Sequence, residues 1–150
     1  MQVLGDSLGI NIICYDYEGY GCSTGKLGSD CLVRDLRKVY SYANKLYHQR
    51  DIFFLGYGCR SFHHSIPSNS SLVGSVPACK VAALLWKEYR SSKLHDKKQI
   101  PLGGVILQSA LYSGKTALIG GLLLGSQDPY DNGSDIGYIE VCFSLFTPRR

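Results

Sequence analysis

The sequence has little charge of either sign. Charged residues make up 19% of the 150 residues, and 16 Lys+Arg against 12 Asp+Glu give a net charge of +4. This small excess is unlike the clustered basic charge of nucleic-acid-binding domains, so we expect no nucleic-acid partner. We predict that the densest basic stretch, residues 93–98, is a solvated linker. The 45% apolar content and the length predict one globular domain.

The cysteines lack the spacing of a metal or redox centre. None of the six cysteines forms a C-x-x-C pair, which leaves zinc ribbons and thioredoxin-type chemistry without support. We expect no metal and no cofactor. Cys14 and Cys79 lie in apolar runs and are predicted to be buried free thiols. No secretory leader is evident, so we expect a reducing, cytoplasmic compartment.

Long hydrophobic runs are also missing. No run approaches the roughly 20 apolar residues that a membrane-spanning helix needs. The longest are residues 81–86 and 117–124, and Gly120 and Gly121 interrupt the second. We predict no transmembrane segment.

What the sequence does contain is a series of short apolar, strand-like runs that alternate with segments of helical periodicity. Apolar residues recur every three or four positions over two segments, each of which predicts a helix. Crossover helices between buried strands indicate an α/β fold with a mainly parallel sheet. The predicted buried strands are residues 11–16, 51–56 and 103–108, and the helices are 29–47, capped by Ser29 or Asp30, and 76–90.

The last third of the chain is harder to interpret. Residues 128–135 have the composition of a turn-rich loop, and residues 138–146 are strand-like. Residues 117–124 fit either a helix or a strand. Gly114, Lys115 and Thr116 form the end of a P-loop pattern, but Ser109 stands where its first glycine is required. A strand-exit loop is favoured, and a nucleotide site is the weaker alternative.

Residues 51–90 contain the two halves of a strand–turn–helix motif. The predicted strand ends at Gly56-Tyr57, and the helix begins after Gly74. In a nucleophile elbow, G-x-S-x-G makes this turn, and its glycines are small because strand and helix backbones crowd each other. Here residues 59–72, a polar segment rich in serine, separate the two halves.

Three segments together resemble a known family. Residues 15–25 are similar to the D-Y-x-G-Y-G-x-S-x-G loop of α/β-hydrolases, residues 74–77 to a G-T-V-P helix start, and residues 105–114 to V-I-L-x-S-x-L-x-S-G. They resemble most closely the alpha/beta hydrolase domain-containing protein 17 group, serine hydrolases that remove palmitoyl groups from membrane-associated proteins.

The resemblance implies a partial α/β-hydrolase domain over residues 1–150, with a loop insertion at 59–72 and a divergent tail at 115–150. It implies hydrolysis of acyl thioesters or esters of palmitoylated proteins, and a cytoplasmic location peripheral at membranes. Lipidated proteins would be its substrates or partners.

The catalytic residues of the family are incompletely matched. Ser71 is the candidate nucleophile when the motif is aligned with the helix start, but Leu72 places it one residue too far from Gly74. When the motif is aligned with the end of the strand instead, Gly58 occupies the nucleophile position. The family's oxyanion loop precedes the matched region. A triad acid would be followed by a histidine, and none follows His95, although Asp128, Asp131 and Asp135 are present. We therefore expect little or no hydrolysis, and the alternative is a non-catalytic binding or regulatory protein on a hydrolase scaffold.

Overall fold

The computed structural model describes residues 2–26, 28–58, 74–92, 100–108, 132–139 and 143–146. Helices and strands alternate through most of this part of the chain. A 3-10 turn at Gln49–Asp51 leads into the first strand. The elements are α1 (Gln2–Leu8), α2 (Ser29–Ala43), β1 (Phe53–Tyr57), α3 (Ser75–Ser91), β2 (Gly104–Gln108), α4 (Asn132–Ile136) and β3 (Phe143–Phe146).

The three described strands form one parallel sheet in the order β1-β2-β3. Phe54 pairs with Val105, and Val105 pairs with Phe143 on its other side. The fold is therefore a mixed α/β arrangement with parallel strands packed against helices. The sequence correctly predicted β1, α3 and β2 to within two residues, and β3 lies inside the strand-like run 138–146.

The core lies between the sheet and α3. Phe54, Val105 and Leu107 point toward the helix, and each is 6% exposed or less. Helix α3 is buried on nearly all sides because α2 and α4 also pack on it. Burying a large aliphatic or aromatic side chain stabilises a fold by about 1.5–3 kcal/mol, so this cluster is the main source of stability in the described region.

The opposite face of the sheet is open in the part of the chain that the structure describes. Phe53, Leu55 and Tyr57 are 56%, 49% and 56% exposed. The prediction that residues 51–56 form a strand buried on both faces was therefore wrong for this face. The run is continuously apolar, but only alternate residues meet α3.

The predicted strand at residues 11–16 was also wrong. These residues form no helix or strand, and Ile13 is 44% exposed. Cys14 is exposed rather than buried. An apolar run becomes a strand only where a neighbouring strand accepts its backbone hydrogen bonds, and no described strand lies beside this segment.

Two helix boundaries differ from the sequence prediction. Helix α2 ends at Ala43 rather than at residue 47, and its N-cap is Gly28, without a side-chain cap, rather than Ser29 or Asp30. Leu46 and Tyr47 follow in a turn, where both amides donate to the Ala43 carbonyl at 2.9 Å. Residues 132–135 of the predicted loop 128–135 lie in helix α4, which continues to Ile136.

A glycine fixes the start of β2 beside the start of β1. The Gly103 amide donates to the Ile52 carbonyl at 2.9 Å. A Cβ atom at Gly103 would lie 2.2 Å from the Arg50 carbonyl oxygen. The two chain segments therefore approach as closely as bare backbone allows.

Candidate functional site

The junction of β1 with α3 is the candidate functional site. The Gly58 amide donates to the Gln108 carbonyl at 2.9 Å, which extends the β1–β2 ladder by one bond. Gly74 is the N-cap of α3. The carboxyl end of a parallel strand and the start of the following helix therefore lie together, where α/β proteins commonly place their ligands.

Two glycines bring these backbones into contact. A Cβ atom at Gly56 would lie 2.9 Å from both the Gly74 carbonyl oxygen and the Ser75 Cα. A Cβ atom at Gly74 would lie 2.6 Å from the Tyr57 carbonyl oxygen. No side chain fits at either position without displacing backbone, which is the packing that a nucleophile elbow requires.

Ser75 begins α3 but faces the interior. It is fully buried, and its hydroxyl accepts a hydrogen bond from the Asn132 side-chain amide at 3.4 Å. Asn132 is also fully buried and comes from α4. This serine is therefore held in a polar contact between two helices and is not presented to a substrate.

Cys79 lies one turn further along α3 and is likewise fully buried. Burial, with a smaller contribution from the negative charge of Asp135, raises the pKa of its thiol to about 12. The thiol is thus protonated at neutral pH and is a poor nucleophile. The sequence prediction of a buried free thiol is confirmed for Cys79.

The glycine-rich segment 17–26 is held against the first turns of α2. The Glu18 amide donates to the Asp35 carboxylate at 2.9 Å, and the Glu18 carboxylate forms an ion pair with Arg34. The pKa of the Glu18 carboxyl lies below its usual range. The largest cause is the hydrogen bond from the Lys26 amide, followed by the Cys31 thiol and by the positive charge of Arg34. These contacts fix the shape of the segment against α2.

Glycines shape this segment as well. Gly21 has a φ of +54°, and a Cβ atom there would lie 2.3 Å from a carboxylate oxygen of Asp16. Asp16 in turn binds the loop, because its backbone carbonyl accepts from the Ser23 hydroxyl at 3.0 Å. The sequence predicted a loop here, and that prediction is confirmed.

Several predicted site residues lie outside the described residues. These are Ser71 with the insertion 59–72, Gly114 to Thr116, Asp128, Asp131 and His95. Of the three candidate acids, the structure places only Asp135, in α4 near Cys79. The sequence did not indicate the Asn132–Ser75 contact, because it joins residues 57 positions apart and neither belongs to a motif with a known polar partner.

The described residues contain no group of three or more His, Cys, Asp or Glu side chains that could hold a metal ion. No helix within the described ranges is long and apolar enough to cross a bilayer. Comparisons with protein-family models, with curated proteins and with solved structures find no match.

Proposed function

We propose that this chain is an α/β-hydrolase-type protein of the acyl-protein thioesterase kind. The observation that supports this most directly is the backbone contact of Gly56 with Gly74 at the β1–α3 junction. Such crowding is the physical reason for both glycines in G-x-S-x-G. The two glycines make this contact although residues 57–73 lie between them in the sequence.

The proposed reaction uses a serine from the segment that joins β1 to α3, and Ser71 is the candidate nucleophile. Its hydroxyl oxygen attacks the acyl carbonyl carbon, a base takes the hydroxyl proton, and the thiolate leaves. Water then hydrolyses the acyl-enzyme. The N-terminus of α3 provides the positive end of a helix dipole beside this junction, which favours a developing oxyanion.

Turnover by these 150 residues is expected to be slow. A serine hydroxyl is a weak nucleophile without a hydrogen-bonded base, and no histidine follows His95 in this sequence. Enzymes that lack triad members retain only about 10³–10⁴-fold acceleration over water. Covalent labelling needs only one attack by the serine and no deacylation, and it is therefore a more sensitive test than steady-state hydrolysis.

The test is labelling of the full chain with a fluorophosphonate probe, which reacts with activated serines. We expect labelling of the wild type that is lost in Ser71→Ala and retained in the matched variant Ser70→Ala. Labelling that persists in Ser71→Ala would reject Ser71 as the nucleophile. No labelling of the wild type at any pH from 6 to 9 would reject the hydrolase function.

A non-catalytic binding protein on the same scaffold is the second candidate. The observation that favours it is the full burial of Ser75 and Cys79, the nucleophilic side chains that α3 places beside β1. A palmitoylated peptide that binds without losing its acyl group would support this function. Binding is measured by fluorescence anisotropy with the unacylated peptide as the control, and acyl loss by mass spectrometry.

A further inference from the structure

The outer face of α2 carries a row of basic side chains. Arg34, Arg37 and Lys38 of α2 and Lys45 of the turn that follows the helix line a shallow groove of about 420 Å³, together with Ser41 and Tyr42. The opposite face of α2 packs inward through Leu32, Tyr40 and Ala43. The basic row therefore points away from the core.

The positive charge of this face is only partly compensated. Arg34 pairs with Glu18 and Arg37 pairs with Glu88, and all four side chains are at least 31% exposed. Exposed pairs of this kind are weak and screened by salt. Within the described part of the chain no carboxylate forms an ion pair with Lys38 or Lys45. The helix's own carboxylates, Asp30 and Asp35, lie in its N-terminal half, so positive charge dominates toward the C-terminus.

Apolar side chains stand beside these lysines. Tyr42, in the last turn of α2, is 58% exposed, and Leu46, in the turn that follows the helix, is 56% exposed. In water, the exposed apolar parts of these two side chains stay hydrated and contribute no burial energy. At a lipid surface, by contrast, basic side chains meet anionic headgroups while aromatic and leucine side chains enter the interfacial region.

We propose that the outer face of α2, with Tyr42 and Leu46, docks the protein on an anionic lipid bilayer. A bilayer fits this surface better than a single phosphate ligand because the groove is shallow and lies along one convex helix. This docking surface is separate from the β1–α3 junction, and it does not depend on the proposed hydrolase function.

The test is co-sedimentation of the full chain with vesicles of phosphatidylcholine containing 30% phosphatidylserine, and with vesicles of pure phosphatidylcholine. We expect binding to the anionic vesicles only, and its loss in 0.5 M NaCl. Each Lys or Arg near an anionic surface contributes roughly fivefold in affinity, so Lys38→Gln/Lys45→Gln is expected to weaken binding by roughly 25-fold.

A control variant removes the same charge elsewhere. Arg50→Gln/Lys87→Gln changes two exposed cations outside the groove and is expected to retain wild-type binding. Tyr42→Ser/Leu46→Ser separates interfacial insertion from charge, because it is expected to weaken binding at unchanged net charge. Equal loss in the control and in Lys38→Gln/Lys45→Gln would overturn the proposal, as would retention on immobilised single-stranded RNA without binding to anionic vesicles.

Discussion

Tyr40 of α2 donates a hydrogen bond from its hydroxyl to the backbone carbonyl of Pro101, with 2.5 Å between the oxygens. The contact is buried and joins residues 61 positions apart. The Tyr40 ring also packs edge-on against Phe54 of β1, with 5.8 Å between ring centroids. One side chain therefore joins α2 both to β1 and to the segment that leads into β2.

Replacing Tyr40 with phenylalanine isolates the hydrogen bond. Tyr40→Phe keeps the ring contact with Phe54 but leaves the buried Pro101 carbonyl without its donor, which is expected to cost about 1–3 kcal/mol. Urea unfolding followed by circular dichroism measures the change. Tyr42→Phe, at an exposed position, is the control and is expected to change the free energy of unfolding by less than about 0.5 kcal/mol. Equal effects of the two variants would contradict the assignment.

The backbone contact at the β1–α3 junction predicts intolerance to a single methyl group. Gly56→Ala and Gly74→Ala each place a Cβ atom within 3.0 Å of backbone and are expected to destabilise the fold by about 1–3 kcal/mol or more. Gly137→Ala is the control, because a Cβ atom there would meet its nearest neighbour at an ordinary 3.7 Å. The midpoint temperature of thermal unfolding is compared among the three variants. A midpoint for Gly56→Ala equal to that of the wild type would contradict the backbone contact at this position.

The Ser75–Asn132 contact predicts energetic coupling between α3 and α4. A double-mutant cycle with Ser75→Ala and Asn132→Ala is expected to give a coupling energy of about 0.5–1.5 kcal/mol. The control cycle pairs Ser75→Ala with Ser41→Ala on the exposed face of α2, and these two changes are expected to be additive. A coupling energy of zero in the first cycle would show that the helices are not joined through this pair.

The thiols are predicted to differ sharply in reactivity. Cys79 is fully buried, whereas Cys14 and Cys22 are exposed. With iodoacetamide at pH 8, Cys14 and Cys22 are expected to be alkylated at least about tenfold faster than Cys79, because Cys79 is inaccessible and burial raises the pKa of its thiol. Site-resolved mass spectrometry measures the rates, and unfolding in urea is expected to remove the difference. Similar rates in the native protein would place Cys79 outside the core.

The raised pKa of Cys79 also predicts a pH dependence of stability. Above about pH 9 the Cys79 thiol loses its proton in the unfolded chain. In the folded protein it keeps that proton, because burial and, to a smaller extent, Asp135 raise its pKa to about 12. The folded state then binds more protons, so the free energy of unfolding falls by up to about 1.4 kcal/mol per pH unit until the pH reaches the folded pKa. Cys79→Ala is expected to show a shallower decline between pH 9 and 11 than the wild type. If the free energy of unfolding falls equally with pH in the wild type and in Cys79→Ala, Cys79 does not contribute to the pH dependence of stability.

Local patterns were sufficient to predict the elements that form the core. Helix α3 combines good helix formers with apolar residues on nearly every side, and β1 and β2 are short apolar runs bounded by glycine. The segment at 11–16 has the same local pattern as β1, yet it forms no strand, since strand formation depends on a partner that lies elsewhere in the chain. The apolar spacing of α2 likewise continues to Tyr47, but Leu46 and Tyr47 are exposed and gain no burial from further helix.

Only the backbone arrangement of the candidate site could be predicted from the sequence. The glycines at 56 and 74 follow from the crowding that a strand–turn–helix junction imposes, and both were visible in the sequence. The buried contact of Ser75 with Asn132 was not, because no periodicity links two polar residues so far apart. Ser71 stays a prediction.

Gly56, Gly74 and Gly103 share one property, namely that each marks a place where backbone touches backbone. Such positions limit the mutations that this fold can accumulate. A side chain at any of the three would push the touching backbone segments apart, so none of these glycines can be replaced without a shift of the backbone.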